Sequence, residues 1–151
     1  MKITPSGIKK ENNYNLERFT DAQSEIYGNV VYELKNGQKK THWIWFIFPQ
    51  IDGLGHSSTA KYYAIKNAEE AKEYLRHPVL KERLTECIKA VLAVEGKSIR
   101  QILGTPDDLK LKSSMTLFAS VENQDPIFKK VIDKYFDGKY DDTTIRLLRQ
   151  N

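Results

Sequence analysis

Cys87 is the single cysteine in a chain of 151 residues. No disulfide can form within the chain, and no thiolate cage can hold a metal; a lone thiol suits a reducing compartment. Histidine is scarce too. His42, His56 and His77 show neither H-x-H nor H-x-x-x-H spacing, so no metal site and no cofactor are expected. The longest apolar run, Trp43 to Phe48, falls far short of the roughly 20 residues that cross a bilayer. Met1-Lys2-Ile3-Thr4-Pro5 has no apolar stretch of the kind that opens a secretory signal. Together these absences point to a cytoplasmic protein without a membrane partner. There is no G-x-S-x-G elbow, no internal repeat and no low-complexity tract, and the glycines at 53 and 55 are not followed by the Gly-Lys-Ser/Thr of a Walker loop.

What is present is ordinary globular material: 40% hydrophobic and 29% charged residues, enough to bury a core without a staple. Lys and Arg number 24 against 20 Asp and Glu, a net charge of +4. The charges are interleaved, as in Glu69-Glu70-Ala71-Lys72-Glu73, and no block of one sign is long enough to form a basic arm.

Residues 1–13 are polar and aperiodic and read as a loose lead-in, leaving 14–151 as one domain. Helical spacing then dominates. Leu16, Phe19, Ala22, Ile26, Val30 and Leu34 recur at steps of three and four, with Asn15 as a candidate cap and Asn36-Gly37 as the stop. Asn67 with Glu70 opens a helix that His77-Pro78 ends. The clearest stripe follows, through Leu80, Leu84, Cys87, Ile88, Val91 and Leu92. Ser98 with Gln101, Thr105-Pro106 and Asp125-Pro126 each announce a further helix, and a last one begins near Asp142. Trp43 to Phe48 has strand propensity but no evident partner. We read it as a short buried helix capped by Thr41 and ended by Pro49, with pairing to Val30-Val31 as the alternative. The expected fold is mainly α, a single compact multi-helix domain with at most a minor short strand pairing.

Three segments carry candidate chemistry. In Gly53-Leu54-Gly55-His56-Ser57-Ser58, small residues precede a helix whose free N–H groups, helped by Lys61, would suit an anion; an ordinary serine cap explains the same residues. Asp107, Asp108, Lys110, Lys112, Ser113 and Ser114 place two acids, two lysines and two hydroxyls within eight residues. They read either as surface ion pairs on a helix or as a polar pocket in which lysine holds phosphate and aspartate orients water. The aromatic block is core material first, with the alternative that a face of Trp43 or Trp45 stacks on a base, rimmed by His42 and Gln50.

Lys40-Thr41-His42-Trp43-Ile44-Trp45-Phe46-Ile47-Phe48-Pro49-Gln50 resembles a known family. So do Tyr63-Ala64-Ile65, with Glu70-Ala71 and Tyr74 to Pro78 behind it, and Pro106 to Phe118. The chain is similar, from about Tyr14 to Leu148, to the bacterial domain-of-unknown-function family 1810, some of whose members carry the label "calpastatin". The resemblance implies a small, mainly helical protein and a shared set of residues; it implies no established activity.

Two functions are therefore expected from the residues. The first is binding or hydrolysis of a phosphorylated, base-containing metabolite of nucleotide or ADP-ribose type. Its candidate ligand-binding residues are Lys40, His42, Trp43, Trp45, Gln50, Gly55, Ser57, Ser58, Lys61, Tyr63, Lys110, Lys112, Ser113 and Ser114, with Asp107 or Asp108 activating water. ADP-ribose-processing N-glycosidases offer only an analogy, since none of their motifs aligns here. The second is a non-catalytic module for nucleic acid or a protein partner, motivated by Lys61, Tyr62, Tyr63, Lys66 and the net positive charge.

Overall fold

Apolar residues at helical spacing, broken by glycine and proline, fold as ten helices in the computed structural model, which describes residues 14–150. The lead-in expected over 1–13 lies outside the described residues. The first apolar stripe divides into α1 (Glu17–Ser24) and α2 (Tyr27–Lys35). Asn15 gives α1 no side-chain cap; Leu16 occupies that position, and the carbonyl of Asn15 takes up Arg18 instead. Gly37, at φ +70°, stops α2, and the N–H of Gln38 reaches back to the carbonyl of Glu33.

The aromatic segment folds as α3 (Ile44–Ile47), a single buried turn. Thr41 does not cap it, because its hydroxyl donates to Glu33. Among the described residues strand pairing is confined to one parallel bridge, Ile51 with Ile65, rather than a partnership with Val30-Val31. Ser57 caps α4 (Ser58–Tyr63) and Asn67 caps α5 (Ala68–Arg76), whose capping box is half made: Asn67 accepts from the N–H of Glu70, while the Glu70 carboxylate turns to the N–H of Lys66.

His77 ends α5 and caps α6 (Pro78–Ala93) through Nδ1. Ser98 and Gln101 form the complete capping box of α7 (Ile99–Leu103). Pro106, not Thr105, holds the cap position of α8 (Asp107–Val121), so the helix opens one residue later than the Thr-Pro signal suggests. No side chain caps it; the carbonyls of Gly104 and Pro106 take up its first N–H groups. Asp125 accepts from the N–H of Ile127 ahead of α9 (Ile127–Tyr135), and Asp141 likewise precedes α10 (Asp142–Gln150).

The long helices α6 and α8 form the centre. α6 carries α1, α2, α5 and α9, while α8 carries α3, α5, α7, α9 and α10. Between them, Phe19, Tyr74, Phe118 and Phe128 pack as a chain of rings 5.1 to 5.6 Å apart. Cys87 lies in this core, where burial pushes its thiol up to about 12, so it is packing and not a nucleophile at neutral pH.

Candidate ligand-binding site at Trp45

The site begins with a buried acid. Glu33 lies one helical step from Val30, on the buried face of α2. Its carboxylate accepts from the N–H of Lys40 (2.8 Å), the N–H and hydroxyl of Thr41 (3.2 and 2.7 Å), the indole of Trp43 (2.9 Å) and the amide of Asn29 (2.9 Å). Burial alone would raise its pKa; these donors, led by the Lys40 N–H, outweigh that and hold it at about 2. The ionised carboxylate pins residues 40–43 and thereby aims α3. Its sequence signal is an acid between the apolar positions Val30 and Leu34 of a helical stripe.

The 40–63 and 106–118 blocks then meet. Lys39 places Nζ 2.8 Å from Oδ2 of Asp107, 2.6 Å from the carbonyl of Thr41 and 5.0 Å above the ring of Trp43. Its side chain is only 6% exposed. Lys110 stands 3.5 Å from Oδ1 of the same Asp107, with Nζ 4.9 Å above the ring of Trp45. Asp107 thus neutralises the buried lysine, and the three charges sum to +1, carried outward by Lys110.

Beside this cluster lies an open, shallow depression enclosing about 10 Å³, lined by Trp45, Gln50, Ile51, Asp52, Gly53, Gly55, Ala60, Tyr63 and Ala64. Glycine is required at 55 by packing, since a Cβ there would stand 2.5 Å from that of Ala60. The α4 wall is held from beneath by Arg18. Nε donates to the carbonyl of Tyr62 (2.8 Å), Nη2 to that of Ala64 (2.8 Å) and Nη1 to that of Asn15 (2.6 Å). Glu70 supplies the counter-charge 2.8 Å from Nη1, although that oxygen has no N–H aligned on it. Tyr63 packs on Phe46 and Phe19, with centroids 5.3 and 5.9 Å apart.

Of the residues singled out from the sequence, Trp45, Gln50, Gly55 and Tyr63 line the depression, and Asp107 and Lys110 adjoin it through Trp45. The others lie elsewhere or are otherwise engaged. Trp43 is buried, its indole committed to Glu33. Lys40, His42, Ser58 and Lys61 are exposed outside the lining. Ser57 is spent as the α4 cap, accepting from the N–H of Ala60. Asp108 accepts from its neighbour's N–H at Leu109. Lys112 stands 6.0 Å over Phe136. Ser113 is buried and donates to Asp141 and Leu109, and Ser114 is fully buried. The serine pair is buried in α8, Ser114 Oγ without a hydrogen-bond partner among the described residues, and neither serine lines the depression. Lys39, Arg18, Glu33 and Asp52 were missed; an exposed-looking lysine or arginine in sequence shows nothing of the carbonyls it will reach. Among the described residues no group of three or more His, Cys, Asp or Glu could hold a metal, and no helix is long and apolar enough to cross a membrane.

Fold and site define a small, mainly helical protein with an aromatic-walled depression beside a lysine–aspartate cluster. The chain belongs to the family of proteins of unknown function DUF1810, whose model matches residues 13–148. It is similar to the crystal structure of the conserved hypothetical protein Rv1873 from Mycobacterium tuberculosis, with 48% identity and a TM-score of 0.89. The match covers 90% of this chain and 97% of that one. Nothing matches among the curated proteins.

Proposed function

We propose that the surface at Trp45 binds a phosphorylated, base-containing metabolite of nucleotide or ADP-ribose type, its ring against Trp45 and Tyr63 and its phosphate at Lys110. The observation that carries this reading is Lys110 held over the Trp45 ring, 4.9 Å from its centroid, by an aspartate already neutralised from behind by Lys39. A cation and an aromatic face within one ligand's reach match the two ends of such a molecule. The depression is open and shallow, enclosing only about 10 Å³, so a base would lie against the Trp45 face rather than inside a cavity. The phosphate and sugar therefore lie along the surface toward α8.

Binding is better supported than hydrolysis. Both oxygens of Asp107 face lysines, and neither Asp107 nor Asp108 lines the depression, so neither is placed to take a proton from water there.

A thermal-shift panel tests the reading with inorganic phosphate, AMP, adenosine, ADP-ribose, sugar phosphates and short oligonucleotides. A probe at 100 times its dissociation constant adds about 2.7 kcal/mol, a shift of several degrees. AMP or ADP-ribose is expected to shift the midpoint where adenosine and phosphate alone do not. Shifts with oligonucleotides only, falling steeply with salt, would replace the metabolite by nucleic acid.

A further inference from the structure

The depression has a chemically one-sided floor. Gln50 and Asp52 flank Ile51, and the bridge to Ile65 engages the main chain there. Ile65 N–H donates to the carbonyl of Gln50, and Asp52 N–H donates to the carbonyl of Ile65, both at 2.8 Å. Ile51 is buried, while Gln50 and Asp52, the latter opening the turn that follows the bridge, both line the depression. No described residue's side chain bonds to either of them. A glutamine amide presents a donor or an acceptor by turning over, but an ionised aspartate only accepts. A ring edge that meets both must therefore bring a donor.

Resting on the reading of Trp45 as a base-binding face, we infer that Asp52, with Gln50 beside it, selects bases carrying an exocyclic amino group, the adenine and cytosine type, over their oxo counterparts. An amino group donates to Asp52 while Gln50 adapts to the neighbouring ring nitrogen. An oxo base held in the same pose turns its ring N–H to Gln50 and its carbonyl oxygen to the carboxylate, leaving two acceptors facing each other at Asp52. Asp52 also repels the phosphate, which favours the orientation that takes it to Lys110.

Calorimetric titration of the full chain with the matched pairs AMP and IMP, and CMP and UMP, tests this. AMP and CMP are expected to bind about tenfold more tightly than IMP and UMP, the scale of one charge-assisted hydrogen bond. Asp52 is exposed, so Asp52→Ala folds, and in that variant the preference collapses to within about twofold while AMP still binds. Equal affinities within each pair, or a preference that survives Asp52→Ala, overturn the inference and leave base binding at Trp45 standing. No binding by any of the four overturns both.

Discussion

Lys110 carries its ammonium 4.9 Å above the ring of Trp45, joining the helix that begins at Asp107 to the aromatic turn more than sixty residues earlier. Cation and ring are both partly exposed at this point, which is where a ligand bearing an anion and a flat ring has something to gain from each.

Lys110→Ala should weaken AMP and ADP-ribose binding about tenfold or more, as loss of a charge-assisted contact to phosphate does. Stability should change by less than about 1 kcal/mol, because its 3.5 Å pair with Asp107 is partly solvated. Calorimetry and urea unfolding read the two effects separately. Unchanged affinity would remove Lys110 from the site.

Asp107→Asn should behave in the opposite way. It leaves Lys39, whose side chain is 6% exposed, without its counter-ion. The cost is expected near 3 kcal/mol, the scale for removing one partner of a buried pair. Asp108→Asn, which loses a first-turn charge and a local contact, should cost less than about 1 kcal/mol. Equal costs in urea unfolding would mean that Lys39 finds another anion.

Glu33 sets an acid limit on the fold. Its pKa lies at about 2, against an ordinary 4.5, so the unfolded chain binds the extra proton first. The stabilisation is complete above the ordinary value and fades as pH falls from there toward 2. Unfolding midpoints measured from pH 6 down to pH 2 should therefore fall more steeply for the wild type than for Glu33→Gln, which starts lower and changes less. Parallel curves would show that Glu33 is not the titrating group.

Arg18→Met should destabilise by about 3 to 5 kcal/mol, since it strands the fully buried Glu70 and frees the carbonyls of Tyr62 and Ala64. Arg18→Met combined with Glu70→Met should recover much of that loss, and a double variant as unstable as the single one would contradict the ion-pair account.

Helix boundaries were legible because their signals are local. The capping box at Ser98 and Gln101, the glycine after α2 and the proline after His77 each act within four residues, and each forms as expected. Thr41 failed as a cap because a non-local acid claimed its hydroxyl first. The candidate site was legible in its exposed members, Trp45, Gln50, Tyr63, Asp107 and Lys110. It was illegible in its supports: Glu33, Lys39 and Arg18 look like surface charges until the fold brings donors and carbonyls to them. Ser113 and Ser114 erred the other way, since polar residues in a helix suggested a pocket where α8 buries them.

The most direct test is a tryptophan-fluorescence titration of wild type and Trp45→Phe with AMP and ADP-ribose. Trp43 is buried and hydrogen-bonded in both proteins and serves as an internal constant. A ligand ring against Trp45 predicts a saturable change in wild-type emission that is absent from Trp45→Phe. No saturable change with either probe, or the same change in both proteins, would contradict binding at Trp45.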